Sequence, residues 1–150
     1  MTTVYEVPAK ELIDEIAKKL KTDDNIVTPE ANIYSRTGVH KQNPPEDTDW
    51  WYTRCASVLR KLYTKNAIGI ERLKAEYSGK RDRGSKPYKA RSGSGTIARR
   101  ALQQLEKAGY VTKLKGKGRV LTPKGRSFMD NTSRDVLKNI GDAYPELKKY

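Results

Sequence analysis

The chain predicts a mainly α fold: a winged helix-turn-helix core with a two-stranded β-hairpin wing, and additional N- and C-terminal helices. Three observations carry this expectation. Apolar residues recur at helical spacing in several separate stretches. Two short strand-like runs, 110–114 and 119–122, flank Lys115-Gly116-Lys117-Gly118, which reads as a hairpin tip. The order helix, helix, helix, hairpin is that of a winged helix, whose third helix and wing present side chains to nucleic acid.

Residues 8–20 read as the first helix, with Pro8 at its start and Leu12, Ile13, Ile16 and Leu20 in helical register. Lys10, Asp14, Lys18 and Lys21 mix signs on its outer face, as a solvated structural helix does. Residues 22–49 have no period and carry Pro29, Pro44 and Pro45. So long an irregular stretch is uncommon in a small domain and is usually functional or disordered. With Arg36, His40 and Lys41 around Thr37-Gly38, it reads as an arm that wraps the domain or touches a partner.

The strongest helical pattern spans 49–65, with Asp49 or Thr48 as the cap. Trp51, Cys55, Val58, Leu59 and Leu62 share one arc, widened by Tyr52, Ala56 and Tyr63. Thr53, Arg54, Ser57, Arg60 and Lys61 fall within roughly 120° on the other side. That face has three bases, two hydroxyls and no acid. Ordinary solvated faces mix signs, so this one reads as a phosphate contact.

A short helix over 68–77 turns Ile70, Leu73 and Tyr77 inward and Glu71, Lys74 and Glu76 outward. Residues 79–93 (GKRDRGSKPYKARSG) follow as a basic loop nearly free of apolar side chains. It lacks a core of its own, so it is expected to be mobile until phosphate orders it, through Lys80, Arg81 and Arg83. The next helix, 94–108, keeps Ile97, Ala98, Ala101, Leu102, Leu105 and Ala108 on one arc. Arg99, Arg100, Gln103 and Lys107 lie opposite, and Gly109 closes it. The wing then offers Lys115, Lys117 and Arg119. Thr122-Pro123 starts a last helix carrying Phe128, Met129, Val136 and Leu137, and the tail 141–150 is expected to fray.

Charge narrows the function. All thirteen net positive charges can be assigned to residues 80–126, which hold fifteen Lys or Arg against Asp82 and Glu106. The remaining residues carry sixteen bases and sixteen acids. Such concentration produces a one-sided field that recruits a polyanion. Nucleic acid fits best, because the bases alternate with Gly, Ser and Tyr rather than with the apolar face of a membrane helix. At 150 residues and 35% hydrophobic, the chain suits a single domain with a small core. No apolar run approaches the roughly 18 residues of a span, and the N-terminus lacks a signal-peptide apolar region. A lone cysteine fits a reducing cytosol, and one Cys with one His leaves too few soft ligands for structural zinc.

Individual residues read plainly. His40 has no companion ligand and is an RNA-contacting or hydrogen-bonded loop residue. Cys55 is a small core residue. Trp51 and Tyr52 lean toward the core, and only Trp50 points toward the basic face, where it could stack on a base. Ser92-Gly93-Ser94-Gly95 lacks the Gly-Lys-Ser/Thr ending of a nucleotide loop and is a flexible start to a helix. The acid pairs Asp23/Asp24 and Asp47/Asp49 have no metal or acid–base companion, so no enzyme, cofactor or small-molecule substrate is expected.

The phrases TVYEVP (3–8), TGVHK (37–41), DWWYTRCAS (49–57), YSGKRDRG (77–84), IARRALQQLEKAGYV (97–111) and GKGRVLTPKGRSFMD (116–130) run in order through nearly the whole chain. Together they strongly resemble the S19e family of small-subunit ribosomal proteins. The resemblance implies a mostly helical winged-helix fold without catalysis, a place on the head of the small subunit, and a part in maturation of the ribosomal RNA precursor. It implies RNA contact through Arg54, Arg60, Arg99 and Arg100, with Gly118 and Gly125 as the wing and post-wing glycines. The expected partners are ribosomal RNA and neighbouring small-subunit proteins, with the free protein a cytoplasmic monomer. The rival is a winged-helix DNA-binding transcriptional regulator. Against it stand a second basic face on 53–61 and the long insertion at 79–93, where a regulator has a turn of about 3–4 residues.

Overall fold

The computed structural model describes residues 2–146, to which every structural statement below refers. A 3-10 turn at Val4–Glu6 leads into α1 (Ala9–Lys21), and a second such turn lies at Glu30–Asn32. Then follow α2 (Trp50–Lys65), α3 (Ile70–Glu76), β1 (Gly79–Arg83), β2 (Lys86–Arg91) and α4 (Gly95–Lys107). The chain ends with β3 (Val111–Leu114), β4 (Gly118–Leu121) and α5 (Pro123–Ala143). The mainly α, winged-helix expectation holds.

Helix α2 is the hub, in contact with α1, α4, α5 and β4. Its buried residues are Trp51, Cys55, Ala56, Val58, Leu59, Leu62 and Tyr63, the arc that periodicity assigns to the core. α1 adds Leu12, Ile16 and Leu20, and α4 adds Ile97, Ala98, Ala101, Leu102 and Leu105. Side-chain caps start the two later helices: Ser94 Oγ accepts from the Ile97 N–H, and Thr122 Oγ1 from the Gly125 N–H at 3.0 Å. α4 stops in a Schellman arrangement, the Tyr110 N–H reaching the Leu105 carbonyl and Gly109 that of Glu106.

The wing is a β3–β4 hairpin in the register Val111↔Leu121 to Leu114↔Gly118. Ile68, just before α3, joins its open edge: its N–H donates to the Arg119 carbonyl at 3.1 Å and its carbonyl accepts from Arg119 at 3.0 Å. Gly118 makes this approach possible. It sits at φ +94°, and a Cβ there would lie 2.6 Å from the Ile68 carbonyl.

Three expectations need correction. Residues 79–93 are not an irregular loop but mostly a second antiparallel hairpin, Gly79↔Arg91 to Arg83↔Lys86. Backbone ladder bonds hold such a ribbon without an apolar core. The turn is local chemistry: Gly84 at φ +71° follows Arg83, and its N–H donates to Asp82 Oδ1 at 2.8 Å. The 22–49 arm wraps the domain, one of the two readings given to it, with Ile26, Asn32, Thr37 and Gly38 buried. Asp49 stands at the N-cap of α2 without capping, because its carboxylate accepts from Lys21 Nζ at 2.9 Å. Finally, α5 runs to Ala143, so the tail expected to fray at 141 begins in helix; its last part, 147–150, lies outside the described residues.

The Trp51 ring is fully buried, and its indole N–H donates to Gln104 Oε1 at 2.8 Å. Trp51→Ala is therefore expected to cost ~3–5 kcal/mol, from lost packing and an orphaned amide oxygen. Urea unfolding should show a lowered midpoint at unchanged slope.

Candidate nucleic-acid interface

Burial of one side of α2 leaves Thr53, Arg54, Ser57, Arg60 and Lys61 half-exposed on the other. Tyr77, at the end of α3, is the platform beneath them. The Arg54 guanidinium lies 4.0 Å from its ring centroid and Lys61 Nζ 5.2 Å, and its hydroxyl meets Ser57 Oγ at 2.8 Å. Burial lowers the Arg54 pKa, yet a guanidinium stays charged at any physiological pH. Burial likewise raises that of Tyr77, so the phenol stays neutral. Arg60 keeps a buried Nε–H with no partner.

This face is not free of acid, as the helix alone implied. Glu76 of α3 enters it and accepts from Lys61 at 3.1 Å and from Lys65. The ammonium of Lys65, then that of Lys61, holds the Glu76 carboxyl below the usual range. Lys61 is thus partly neutralised within the fold.

The β1–β2 ribbon is the most exposed basic element. Every residue from 80 to 91 is exposed, including Lys80, Arg81, Arg83 and Tyr88. Arg81 stands directly opposite Lys89, and Arg83 opposite Lys86. Like charges facing across a strand pair destabilise it, and Asp82 is the only acid in the ribbon. At its base the Gly93 N–H donates to the Lys74 carbonyl, and Gly93 bridges to Gly38 of the arm. His40 fills this corner against Gly38 and Gly79. Its Nδ1 is buried without a partner, and burial, with Lys41 and Arg54 nearby, lowers its pKa. The imidazole is neutral at neutral pH, a packing residue rather than a hydrogen-bonded one through Nδ1. Exposed Lys41 connects the elements: it lines one cavity with Arg54 and Tyr77 and another with Arg36 and Arg81.

The arginines of α4 have different positions. Arg99 is exposed, whereas Arg100 donates to Asn32 Oδ1 of the arm at 3.1 Å. One turn on, Gln104 Nε2 donates to the Val27 carbonyl at 2.7 Å. The arm therefore covers one stripe of the third helix and leaves Thr96, Arg99, Gln103 and Lys107 exposed. In the wing, Lys115 and Lys117 are exposed at the tip, while Arg119 pairs with Glu106 at 3.5 Å. Cys55 is buried as expected, which pushes its thiol up to about 12. Among the described residues no group of His, Cys, Asp and Glu could hold a metal ion, and no helix is long and apolar enough to cross a membrane.

Sequence reasoning missed Tyr77 and Glu76 as parts of this face and Asn32 as the anchor of Arg100. Tyr77 is in phase with Ile70 and Leu73, so its helix alone marks it as core. Nothing local marks the other two.

Comparison with known proteins agrees with this picture. The family model of ribosomal protein S19e matches residues 3–139. The chain is 46% identical to small ribosomal subunit protein eS19 of Aeropyrum pernix, over all of this chain and 99% of that protein. It is 43% identical to the protein of that name from Thermoplasma acidophilum, with the same coverage. It is 39% identical to small ribosomal subunit protein eS19B of Drosophila melanogaster, over 90% of this chain and 87% of that one.

Two outcomes follow from the geometry. Arg54→Gln should lower stability by ~0.5–2 kcal/mol through loss of the packed cation–π contact, whereas Arg99→Gln should stay within about 0.5 kcal/mol; paired thermal melts distinguish them. Glu76→Gln should release Lys61 and Lys65, raising low-salt affinity for RNA by up to about fivefold and costing up to ~1 kcal/mol of stability. Filter binding and denaturation measure the two effects.

Proposed function

The chain belongs to the ribosomal protein S19e family, and from that premise we propose that it is a structural constituent of the small ribosomal subunit, binding ribosomal RNA in the subunit head and supporting maturation and assembly of that RNA. The family is one of ribosomal components, not of enzymes. RNA binding rests on one observation above the others: an exposed ribbon whose Lys and Arg pair directly across strands. That arrangement is unfavourable alone and becomes favourable when phosphates lie between the charges. The placement in the head and the part in maturation rest on the family resemblance. The partners are then small-subunit RNA and neighbouring subunit proteins, on the ribosome in the cytoplasm, with a monomer when free.

The contacts we assign to RNA are Lys41, Arg54, Arg60, Lys80, Arg81, Arg83, Arg99, Lys115 and Lys117. Lys61, Arg100 and Arg119 join them as bases already held by Glu76, Asn32 and Glu106. The DNA-regulator reading is weaker on two physical grounds. The third helix carries the arm along one stripe, so groove entry would require displacing Arg100–Asn32 and Gln104–Val27. The ribbon also projects from between α3 and α4, where it crowds a regular duplex but suits an irregular RNA surface.

Binding to small-subunit RNA should weaken by about 10³–10⁵ between roughly 50 and 200 mM salt, if about 6–10 bases contact phosphate. Replacing residues 80–91 by a short glycine-serine turn should flatten the log–log salt slope by roughly 2–3, at about 0.7–0.9 for each of the assigned contacts Lys80, Arg81 and Arg83. A variant that keeps full affinity and slope, or gains tight sequence-specific duplex DNA binding, would overturn the reading.

A further inference from the structure

Where the arm passes the start of α2, it borders an open cavity of about 470 Å³, within the range of about 300–1,000 Å³ typical of small-molecule sites. Trp50, Arg54 and Tyr77 form its planar walls, and Lys41, Asn43 and Asp47 of the arm complete it. The planar groups are held in place. Trp50 packs edge-to-face on fully buried Trp51, with centroids 5.5 Å apart and planes at 90°. Arg54 is fixed against Tyr77, and Tyr77 by Ser57. Trp50 is half-exposed: it packs against the core on one side and also lines this cavity with Lys41 and Arg54.

Charge inside the cavity selects the occupant. Asp47, whose Oδ1 accepts from the Asp49 N–H at 3.0 Å, puts a carboxylate in the same lining as Arg54. A bare phosphate entering there meets that carboxylate. A neutral planar group with an amino edge does not: Asp47 accepts from the amino group, Asn43 can donate or accept, and flat surfaces lie alongside. Lys41 is exposed and suited to a flanking phosphate. We propose that this cavity receives one unstacked nucleobase of an RNA single strand, bulge or loop, stacked on Trp50. The inference rests on the RNA-binding reading above and adds to it a site that recognises a base rather than the backbone.

The test compares two strands of equal charge: a mixed-sequence RNA hexamer and the same hexamer with abasic riboses. The wild-type protein should prefer the base-bearing strand by roughly 5- to 150-fold, the range for one stacked base. Trp50→Ala should reduce that preference to near unity without changing affinity for the abasic strand. Trp50→Phe, which keeps a ring, should restore most of it, and Asp47→Asn should narrow it by improving abasic binding. Thermal melts of each variant establish that it is folded, and a hexamer carrying 2-aminopurine should be quenched by the wild type and not by Trp50→Ala. Equal wild-type affinity for the two strands, as for a cavity that instead seats a protein side chain, overturns the inference. So does a Trp50→Ala variant that weakens both strands alike. In either case salt-dependent binding of small-subunit RNA would leave the ribosomal reading standing, whereas its absence would remove both.

Discussion

The burial of one side of α2 is the constraint on which the other features depend. Trp51, Val58, Leu59 and Leu62 are enclosed by α1, α4, α5 and β4, and this packing leaves a single arc of the helix for polar groups. Arg54, Arg60 and Lys61 share that arc with Ser57, so three cations are forced onto one strip of surface. The core also reaches outward through Trp51. Its indole N–H meets Gln104, whose amide nitrogen meets the Val27 carbonyl, so one buried ring ties the central helix to the third helix and to the arm. The first bond of this relay satisfies an indole N–H that would otherwise be costly to bury.

Electrostatics then divides the bases into two kinds. Lys61, Lys65 and Arg119 have carboxylate partners within the fold, and Arg100 has an amide. These positions are held at some cost in free charge. Lys80, Arg81, Arg83, Lys115 and Lys117 sit on the two hairpins and are exposed. The second kind produces the long-range field, because exposed charges on projecting ribbons are not desolvated and attract a polyanion before contact. Arg54 combines both properties, anchored on an aromatic ring yet lining an open cavity.

The arm turns a winged helix into something more specialised. A free winged helix offers its third helix for insertion, but here the 3-10 turn at Glu30–Asn32 and the Thr37–Gly38 corner lie against α4 and the base of the ribbon. The Ser94 N–H, at the start of α4, donates to the Thr37 carbonyl. The arm thus joins elements far apart in sequence, and with α2 and Tyr77 it builds the cavity that neither possesses alone.

Sequence by itself determined the features that depend on local periodicity and turn chemistry. The apolar arc of α2, the cap at Thr122, the Gly109 stop and the wing turn at Lys115-Gly116-Lys117 all follow from spacing and backbone preference within a few residues. The basic character of residues 80–126 is equally a property of composition. The β1–β2 ribbon was not legible in the sequence because it lacks apolar alternation and is held by backbone bonds and a Gly84 turn. Buried Thr132 and Ser133 escaped for a related reason: each satisfies its hydroxyl on a carbonyl one turn back, so polar residues enter the core. Tertiary structure alone decided which charges are free. Glu76 reaches Lys61 across two helices, Glu106 reaches Arg119 from helix to wing, and Asn32 reaches Arg100 from the arm. Those pairings depend on how the elements cross in space, and helical or strand periodicity carries no information about a partner on another element.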